Sequence, residues 1–146
     1  MAQDRSRTIA LQNRSFEFTC GVIDAYPRAS RIDDASRLIW RQLIKAASST
    51  TFNLEEADAA SSDADFLAKL RIALREVKEA HVEIRVIARC RLAGWNGVAQ
   101  FQDEAKQLAA IFAAIIANKK TAWPARPLDR DRWPALFLLL TLTFNF

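Results

Sequence analysis

Glycine and proline are scarce in this sequence, which has 3 glycines and 4 prolines among 146 residues. An all-β fold needs many turns, and turns depend largely on these two residue types, so their scarcity argues against one. Ala, Leu, Arg, Glu and Lys fill the middle of the chain, and all are good helix formers. The sequence therefore predicts an all-α protein, and its length suits one domain with a sizeable core.

Histidine and cysteine are equally rare, with His81 as the only histidine and Cys20 and Cys90 as the two cysteines. A metal site needs several clustered ligands, and this set has no suitable spacing. We interpret the cysteines as small buried side chains of a protein in a reducing compartment. We accordingly expect neither a metal nor another cofactor.

Recognisable catalytic motifs are missing as well. The sequence has no Gly-rich phosphate loop, no G-x-S-x-G elbow and no E-x-x-H pair. His81 would lie beside the apolar seam of its helix, without a convincing partner for general-base work. We interpret it as a partly buried packing residue and predict a non-enzymatic protein without catalytic residues.

The N-terminal residues 1–12 are mostly polar and lack the apolar core of a signal peptide. We interpret them as a flexible arm, and we expect a cytoplasmic protein. The formal net charge is +4, which permits contact with nucleic acid or an anionic membrane without requiring either.

Apolar residues recur at helical spacing in four stretches between residues 13 and 120. The first stretch, residues 13–26, would end before Pro27. Its predicted inward face consists of Phe16, Cys20, Ile23 and Tyr26. The second stretch would begin near Asp33 or Asp34, which both suit an N-cap, and continue to about residue 60.

The third stretch carries the clearest signal, because its apolar residues step alternately by four and three as a heptad seam. The seam consists of Phe66, Leu70, Ala73, Val77, Ala80, Ile84 and Ile87. Gly94 would end this helix in the left-handed conformation, and the fourth helix would cover residues 98–120. Four amphipathic helices with short connections predict an antiparallel, up-down-up-down four-helix bundle over residues 13–120.

Residues 121–146 read as a linker and an apolar C-terminal extension. Residues 135–146 carry no charge but are too few for a membrane-spanning helix, which needs roughly 20 apolar residues. They could pack on the bundle or on a neighbouring subunit, contact a membrane, or remain an aggregation-prone extension. We favour packing and leave membrane contact open.

Two stretches, residues 42–57 and 64–79, resemble the bacterial four helix bundle protein family. The first-known members of that family are encoded by intervening sequences within large-subunit ribosomal RNA genes. In the first stretch the family pattern has Gln, a basic residue, Ser, Asn and Glu, matched here by Gln42, Lys45, Ser49, Asn53 and Glu56. The resemblance covers roughly residues 9–120 and does not include the apolar tail.

This resemblance implies a four-helix bundle that assembles into a ring-like homo-oligomer, typically a pentamer. The biochemical role of the family is poorly defined, and nucleic-acid binding is suspected. A related accessory protein of diversity-generating retroelements shares the bundle and binds nucleic acid. By analogy, RNA or DNA is therefore an expected partner, besides other copies of the chain.

Charges on the third helix are segregated on a helical wheel. One flank is basic and carries Arg71, Arg75, Lys78, Arg85 and Arg89. Another flank is acidic and carries Asp65, Glu76, Glu79 and Glu83. The second helix adds a shorter basic ridge of Arg37, Arg41 and Lys45.

A basic stripe along a rigid helix suits a phosphate backbone, whereas opposite charges on two flanks suit head-to-tail contact between copies. The alternative without a functional role is an ordinary solvated helix surface, on which Arg75 and Glu79 form an i,i+4 ion pair. The polar positions of the family pattern either line a site near a symmetry axis or satisfy neighbouring helices.

Taken together, the sequence predicts a non-enzymatic oligomeric bundle that binds nucleic acid, RNA rather than DNA, through its basic ridges. The alternative is an oligomeric scaffold or protein-interaction module that binds no nucleic acid.

Overall fold

The computed structural model describes the backbone of residues 2–28 and 32–121 and the side chains of residues 8–28 and 32–119. Within these ranges the long helices are α1 (Ala2–Asp24), α2 (Asp34–Asp58), α3 (Asp63–Cys90) and α5 (Gln102–Thr121). A short helix, α4 (Trp95–Val98), and a 3₁₀ turn (Ala99–Phe101) connect α3 to α5. The all-α prediction is therefore confirmed for the described part of the chain.

The first helix extends beyond the predicted N-terminal boundary of the bundle at residue 13. α1 begins at Ala2, so residues 2–12 belong to a helix and the prediction of an arm is wrong for them. Helical periodicity continues into this segment because Leu11 is buried one turn before Ser15 on the same face. At the other end, the predicted linker and apolar extension lie outside the described residues from residue 122 onward.

Side-chain caps fix the starts of the two central helices. The carboxylate of Asp33 accepts a hydrogen bond from the backbone N–H of Ser36 at 2.8 Å. The hydroxyl of Ser62 accepts one from the N–H of Asp65 at 3.1 Å. Each cap satisfies a backbone donor that has no partner inside its helix, and α2 begins where the sequence predicts.

The end of α3 differs from the prediction. Arg91, not Gly94, takes the left-handed conformation that ends the helix, with φ of 49°. The N–H of Leu92 bonds to the carbonyl of Ile87 at 3.0 Å, and the N–H of Arg91 bonds to Ala88, as in a Schellman motif. Gly94 is also left-handed, with φ of 78°, but it precedes α4.

The heptad seam of α3 is buried along its whole length, as predicted, and it faces the apolar stripe of α5. Trp40 of α2 is fully buried at one end of this core. Its indole N–H donates to the carbonyl of Ala93 at 2.7 Å, and the ring of Tyr26 meets it edge-on with centroids 5.6 Å apart. The start of α2 is thereby joined to the segment that follows α3.

The inward face of α1 is not the predicted one. Phe16 and Ile23 are exposed, and Cys20 is only partly buried. Among residues 8–24 of α1, the buried ones are Leu11, Ser15, Phe18, Thr19 and Val22. The prediction followed the more continuously apolar face, whereas two hydroxyl residues interrupt the face that is buried.

Hydroxyl groups explain why α1 buries its less apolar face. Ser15 Oγ lies 3.0 Å from Thr51 Oγ1, which is also 2.9 Å from Thr19 Oγ1. Thr19 donates to the carbonyl of Ala47 at 2.8 Å, and Thr51 donates to the carbonyl of Ser15 at 2.9 Å. These groups satisfy one another, so their burial between α1 and α2 carries little desolvation penalty.

Contacts between helices are consistent with the predicted antiparallel order. Along α1, Gln12 bonds to Glu55 of α2, and Thr19 bonds to Ala47, so the numbers rise on one helix as they fall on the other. Opposed numbering also relates α2 to α3 and α1 to α5, through the pairs Glu56–Lys69, Trp40–Ala93, Arg14–Gln107 and Phe18–Phe101.

Gly94→Ala is expected to destabilise the fold. A Cβ there would lie 2.9 Å from the Trp40 ring and 3.0 Å from Cδ of Pro27, and φ of 78° disfavours any side chain. We expect a loss of about 2–4 kcal/mol in the free energy of unfolding, measured by urea denaturation.

Gly97→Ala is the matched control, because a Cβ at Gly97 meets its nearest neighbour at 3.5 Å, an ordinary contact. We expect it to be neutral or up to about 1 kcal/mol stabilising, since Ala is the better helix former. Equal effects of the two substitutions would contradict this account of the corner between α3 and α4.

Candidate nucleic-acid interface

The five basic residues predicted on one flank of α3 are all exposed. We call Arg71, Arg75, Lys78, Arg85 and Arg89 the α3 ridge. The ridge extends over about 27 Å, at a rise of 1.5 Å per residue. None of its cations lies within 4.0 Å of a carboxylate oxygen of a described residue, and the i,i+4 pair between Arg75 and Glu79 is not formed.

The shorter ridge on α2 is also exposed, but its members differ in their contacts. Arg37 is held locally, 3.8 Å from the carboxylate of Asp34 and donating to the carbonyl of Ile32 at 3.1 Å. Arg41 and Lys45 form no ion pair with a described residue. The α2 ridge therefore offers two unpaired cations rather than three.

Carboxylates separate the two ridges. An open groove of about 620 Å³ between α2 and α3 has Lys45 and Lys78 among its lining residues. The same groove is lined by Glu76, Glu79 and Glu83, which we call the acidic row. The structure thus brings one cation of each ridge to a common groove, but it does not merge the ridges into one basic surface.

A second open groove, of about 610 Å³, adjoins the first, since Val82 and Val86 line both, and it reaches the start of α5. Arg85 and Arg89 line it together with Gln102, and its other lining residues are uncharged. Cys90 is also there and is exposed, so the prediction that both cysteines are buried is wrong. The C-terminal half of the α3 ridge therefore borders a groove without carboxylates.

Glu83 is the most perturbed member of the acidic row. One of its oxygens, Oε2, is buried and has no hydrogen-bond partner among the described residues. Burial, and then repulsion from Glu79 and Glu76, raises the pKa of Glu83 to about 7. Around neutral pH the acidic row therefore carries less than its full charge.

The polar positions of the family pattern contact neighbouring groups in different ways. Asn53 donates to the carbonyl of Ser49 at 2.8 Å, within α2. Glu56 pairs with Lys69 of α3, and this contact raises the pKa of Lys69. Gln42 is exposed in the groove that holds the acidic row. Asn53 and Glu56 therefore bond within α2 and to α3, respectively.

His81 is half-buried, in agreement with a packing position beside the seam. Burial, and then the nearby cations Arg85 and Lys106, lowers the pKa of His81. Within residues 2–28 and 32–121, no three His, Cys, Asp or Glu residues lie together as a metal site would require. Over the same ranges, no helix is long and apolar enough to cross a membrane.

The sequence analysis did not predict the ion pairs that neutralise several charged side chains outside the α3 ridge. Lys119 pairs with Asp63 and lies 4.8 Å from the ring centroid of Phe66, and Arg14 binds both Glu104 and Gln107. These contacts link residues about 50–90 positions apart, so local patterns do not indicate them. They matter here because they separate structural cations from the unpaired ones of the α3 ridge.

Comparison with known proteins gives three findings. The family model described as "23S rRNA-intervening sequence protein" matches residues 7–114. A crystal structure from Bacteroides thetaiotaomicron, described as a protein with unknown function from the S23 ribosomal protein family, has a TM-score of 0.61. It is 21% identical and covers 73% of this chain and 97% of its own, which supports the fold alone. No curated protein matches the chain.

Glu83→Gln is expected to change how stability depends on pH. Folded Glu83 keeps its proton up to a pH of about 7, whereas the unfolded group has a pKa near 4.5, so folding is favoured less as the pH rises between these values. Glutamine removes this loss. Because the group is half-exposed and screened, we expect a gain of only about 1 kcal/mol at pH 8 and none at pH 4.

Denaturant unfolding of the variant and the parent at both pH values measures this difference. Glu17→Gln on α1 is the control, since Glu17 is exposed and outside the acidic row. A stability gain for Glu83→Gln that is the same at pH 4 and pH 8 would contradict a titrating carboxylate at this position.

Proposed function

We propose that this chain, which belongs to the 23S rRNA-intervening sequence protein family, is a non-enzymatic protein that binds nucleic acid through the α3 ridge. RNA is the proposed ligand in preference to DNA. In this proposal the protein acts in the cytoplasm as an antiparallel, up-down-up-down bundle. It needs no cofactor.

The observation that carries the proposal is the row of unpaired cations on one rigid helix. Three cations elsewhere, Arg14, Lys69 and Lys119, are each paired with a carboxylate, whereas the ridge cations have none within reach in the described residues. An unpaired surface cation can approach a phosphate without first breaking an ion pair. Each phosphate it neutralises releases condensed counterions, which favours binding at low salt.

The groove beside Arg85 and Arg89 supports the same proposal. Its lining has no carboxylate, and Gln102 supplies an amide that can donate to or accept from a base or a sugar. Single-stranded or looped RNA exposes such groups, whereas duplex RNA presents mainly its backbone and 2′-hydroxyls. The groove thus favours a structured RNA with unpaired nucleotides.

Self-association is part of the proposal. We propose a ring-like homo-oligomer, with the pentamer implied by the family resemblance as its expected size. Several copies of the α3 ridge on one assembly would bind one RNA with avidity, so individually weak contacts would add up.

The second candidate is an oligomeric scaffold without nucleic-acid binding, and one observation favours it. The acidic row lines the groove toward α2, together with Lys78, whereas Arg85 and Arg89 of the α3 ridge line the groove next to α5. Such an arrangement suits a heterologous contact in which the ridge of one copy meets the acidic row of the next. The ridge would then be covered by protein and unavailable to RNA.

The double variant Arg71→Gln, Arg75→Gln is expected to bind RNA more weakly and with less dependence on salt. Loss of two phosphate contacts should reduce the slope of log K against log salt by roughly 2. The measurement is fluorescence anisotropy with a structured RNA and a matched DNA duplex, over a salt series.

Lys69→Gln is the matched control, because it removes a positive charge from the same helix at a residue already paired with Glu56. We expect its salt slope to equal that of the parent. Equal weakening by the control and the ridge variant would point to net charge rather than to the ridge. No binding by the parent even at low salt would favour the scaffold.

Charge reversal at Glu79 tests the contact between copies. If the acidic row meets the α3 ridge of a neighbour, Glu79→Arg should shift the assembly toward smaller species in light scattering after size exclusion. Combining it with Arg75→Glu should restore part of the original mass, because the charges are exchanged. Glu17→Arg is the control, and a mass unaffected by every variant would exclude this contact.

A further inference from the structure

An apolar stripe runs along the outside of α1. Ile9, Phe16 and Ile23 are spaced by seven residues and are 46%, 55% and 43% exposed. A spacing of seven places them on one face of a helix, and the stripe is about 21 Å long. Their neighbours on this face are Gln12, Asn13 and Cys20, and none of these is an Asp, Glu, Lys or Arg.

Phe52 of α2 extends this stripe sideways. Phe52 is 65% exposed, and it follows Thr51, whose hydroxyl lies 3.0 Å from that of Ser15. Phe16 follows Ser15, so the two phenylalanines lie at the same height on adjacent helices. On a helical wheel both lie on the solvent side of the α1–α2 contact. We call Ile9, Phe16, Ile23 and Phe52 the α1/α2 apolar face.

The chain itself contains a segment suited to this face. Residues 135–146 have no charged side chain, and nine of these twelve residues are apolar. Exposure of two such uncharged apolar surfaces to water is unfavourable, and each would be relieved by contact with the other. The α1 part of the face has no acidic or basic side chain, and the carboxylate of Glu55, which borders the face near Phe52, already accepts a hydrogen bond from Gln12 at 2.8 Å.

The path of the chain makes this contact feasible. α5 ends at Thr121, and the pairs Arg14–Gln107 and Phe18–Phe101 show that α1 and α5 run in opposite directions. The chain therefore leaves the described residues at the end of the bundle where α1 begins. The 13 residues 122–134 can extend over about 40 Å, roughly twice the length of the stripe.

We propose that residues 135–146 fold back and cover the α1/α2 apolar face of their own subunit. A tether of this length gives an effective concentration in the millimolar range. Contact within the subunit is therefore favoured over contact with another copy at micromolar protein. This inference does not depend on the proposed function, because no residue of the α1/α2 apolar face belongs to the α3 ridge or lines either groove.

Photo-crosslinking of the full chain tests the proposal. A benzophenone amino acid in place of Phe144 is expected to crosslink to α1 and to the region around Phe52, as mapped by mass spectrometry. Mixing isotope-labelled with unlabelled protein distinguishes links within a subunit from links between copies. We expect links within one subunit to predominate.

The double variant Phe16→Glu, Phe52→Glu is expected to lower the yield of these crosslinks at least tenfold. Both residues are more than half exposed, so the bundle should remain folded, and circular dichroism checks this. The matched control is Val82→Glu on α3, which is 52% exposed and should leave the yield unchanged.

Three results would overturn the proposal. They are crosslinks mainly between labelled and unlabelled copies, crosslinks that persist in the double variant, and pelleting of the full chain with liposomes that depends on residues 135–146. A second measurement supports or contradicts it without crosslinking. Removal of residues 135–146 should increase the binding of an apolar dye, and the increase should be absent in the Phe16→Glu, Phe52→Glu background.

Discussion

The hydroxyl groups buried between α1 and α2 fix how α1 is rotated about its own axis. Ser15, Thr19 and Thr51 satisfy one another and two backbone carbonyls, so turning α1 would leave polar groups buried without partners. The same rotation would also expose Leu11, Phe18 and Val22, which are buried in the present orientation. The apolar face left outside is thus a consequence of the polar contact inside.

The cations of the bundle fall into two groups, those paired between helices and those left unpaired at the surface. Cations that join helices, such as Lys69 and Lys119, are paired across helix boundaries, whereas the α3 ridge is left unpaired along its length. The acidic row lines the groove toward α2, and the C-terminal ridge residues Arg85 and Arg89 line the groove next to α5. One helix therefore presents two surfaces of opposite sign, which suits both binding of an anionic ligand and association of copies.

Local patterns predicted α2 and the buried seam of α3, but not the buried face of α1, the end of α3 or the start of α5, which is Gln102 and not residue 98. The heptad seam of α3 and the cap Asp33 of α2 were predicted because they encode burial and a helix start locally. The helical wheel of the third helix also predicted that the α3 ridge is exposed. The rotation of α1 depended on a contact with Thr51, 36 residues away, and the end of α3 depended on Arg91 accepting an unfavourable conformation. The two grooves could not be predicted from local patterns, because they depend on how α2, α3 and α5 are placed relative to one another.

The corner that follows α3 has a consequence for the order in which the bundle folds. Near the connection between α2 and α3, Glu56 and Lys69 are 13 residues apart in sequence, whereas Trp40 and Ala93 at the far end are 53 apart. Closing a short loop costs less entropy than closing a long one. We expect the helical hairpin to form from its connection outward, with the Trp40 corner as the last part to close and the first to open in hydrogen exchange.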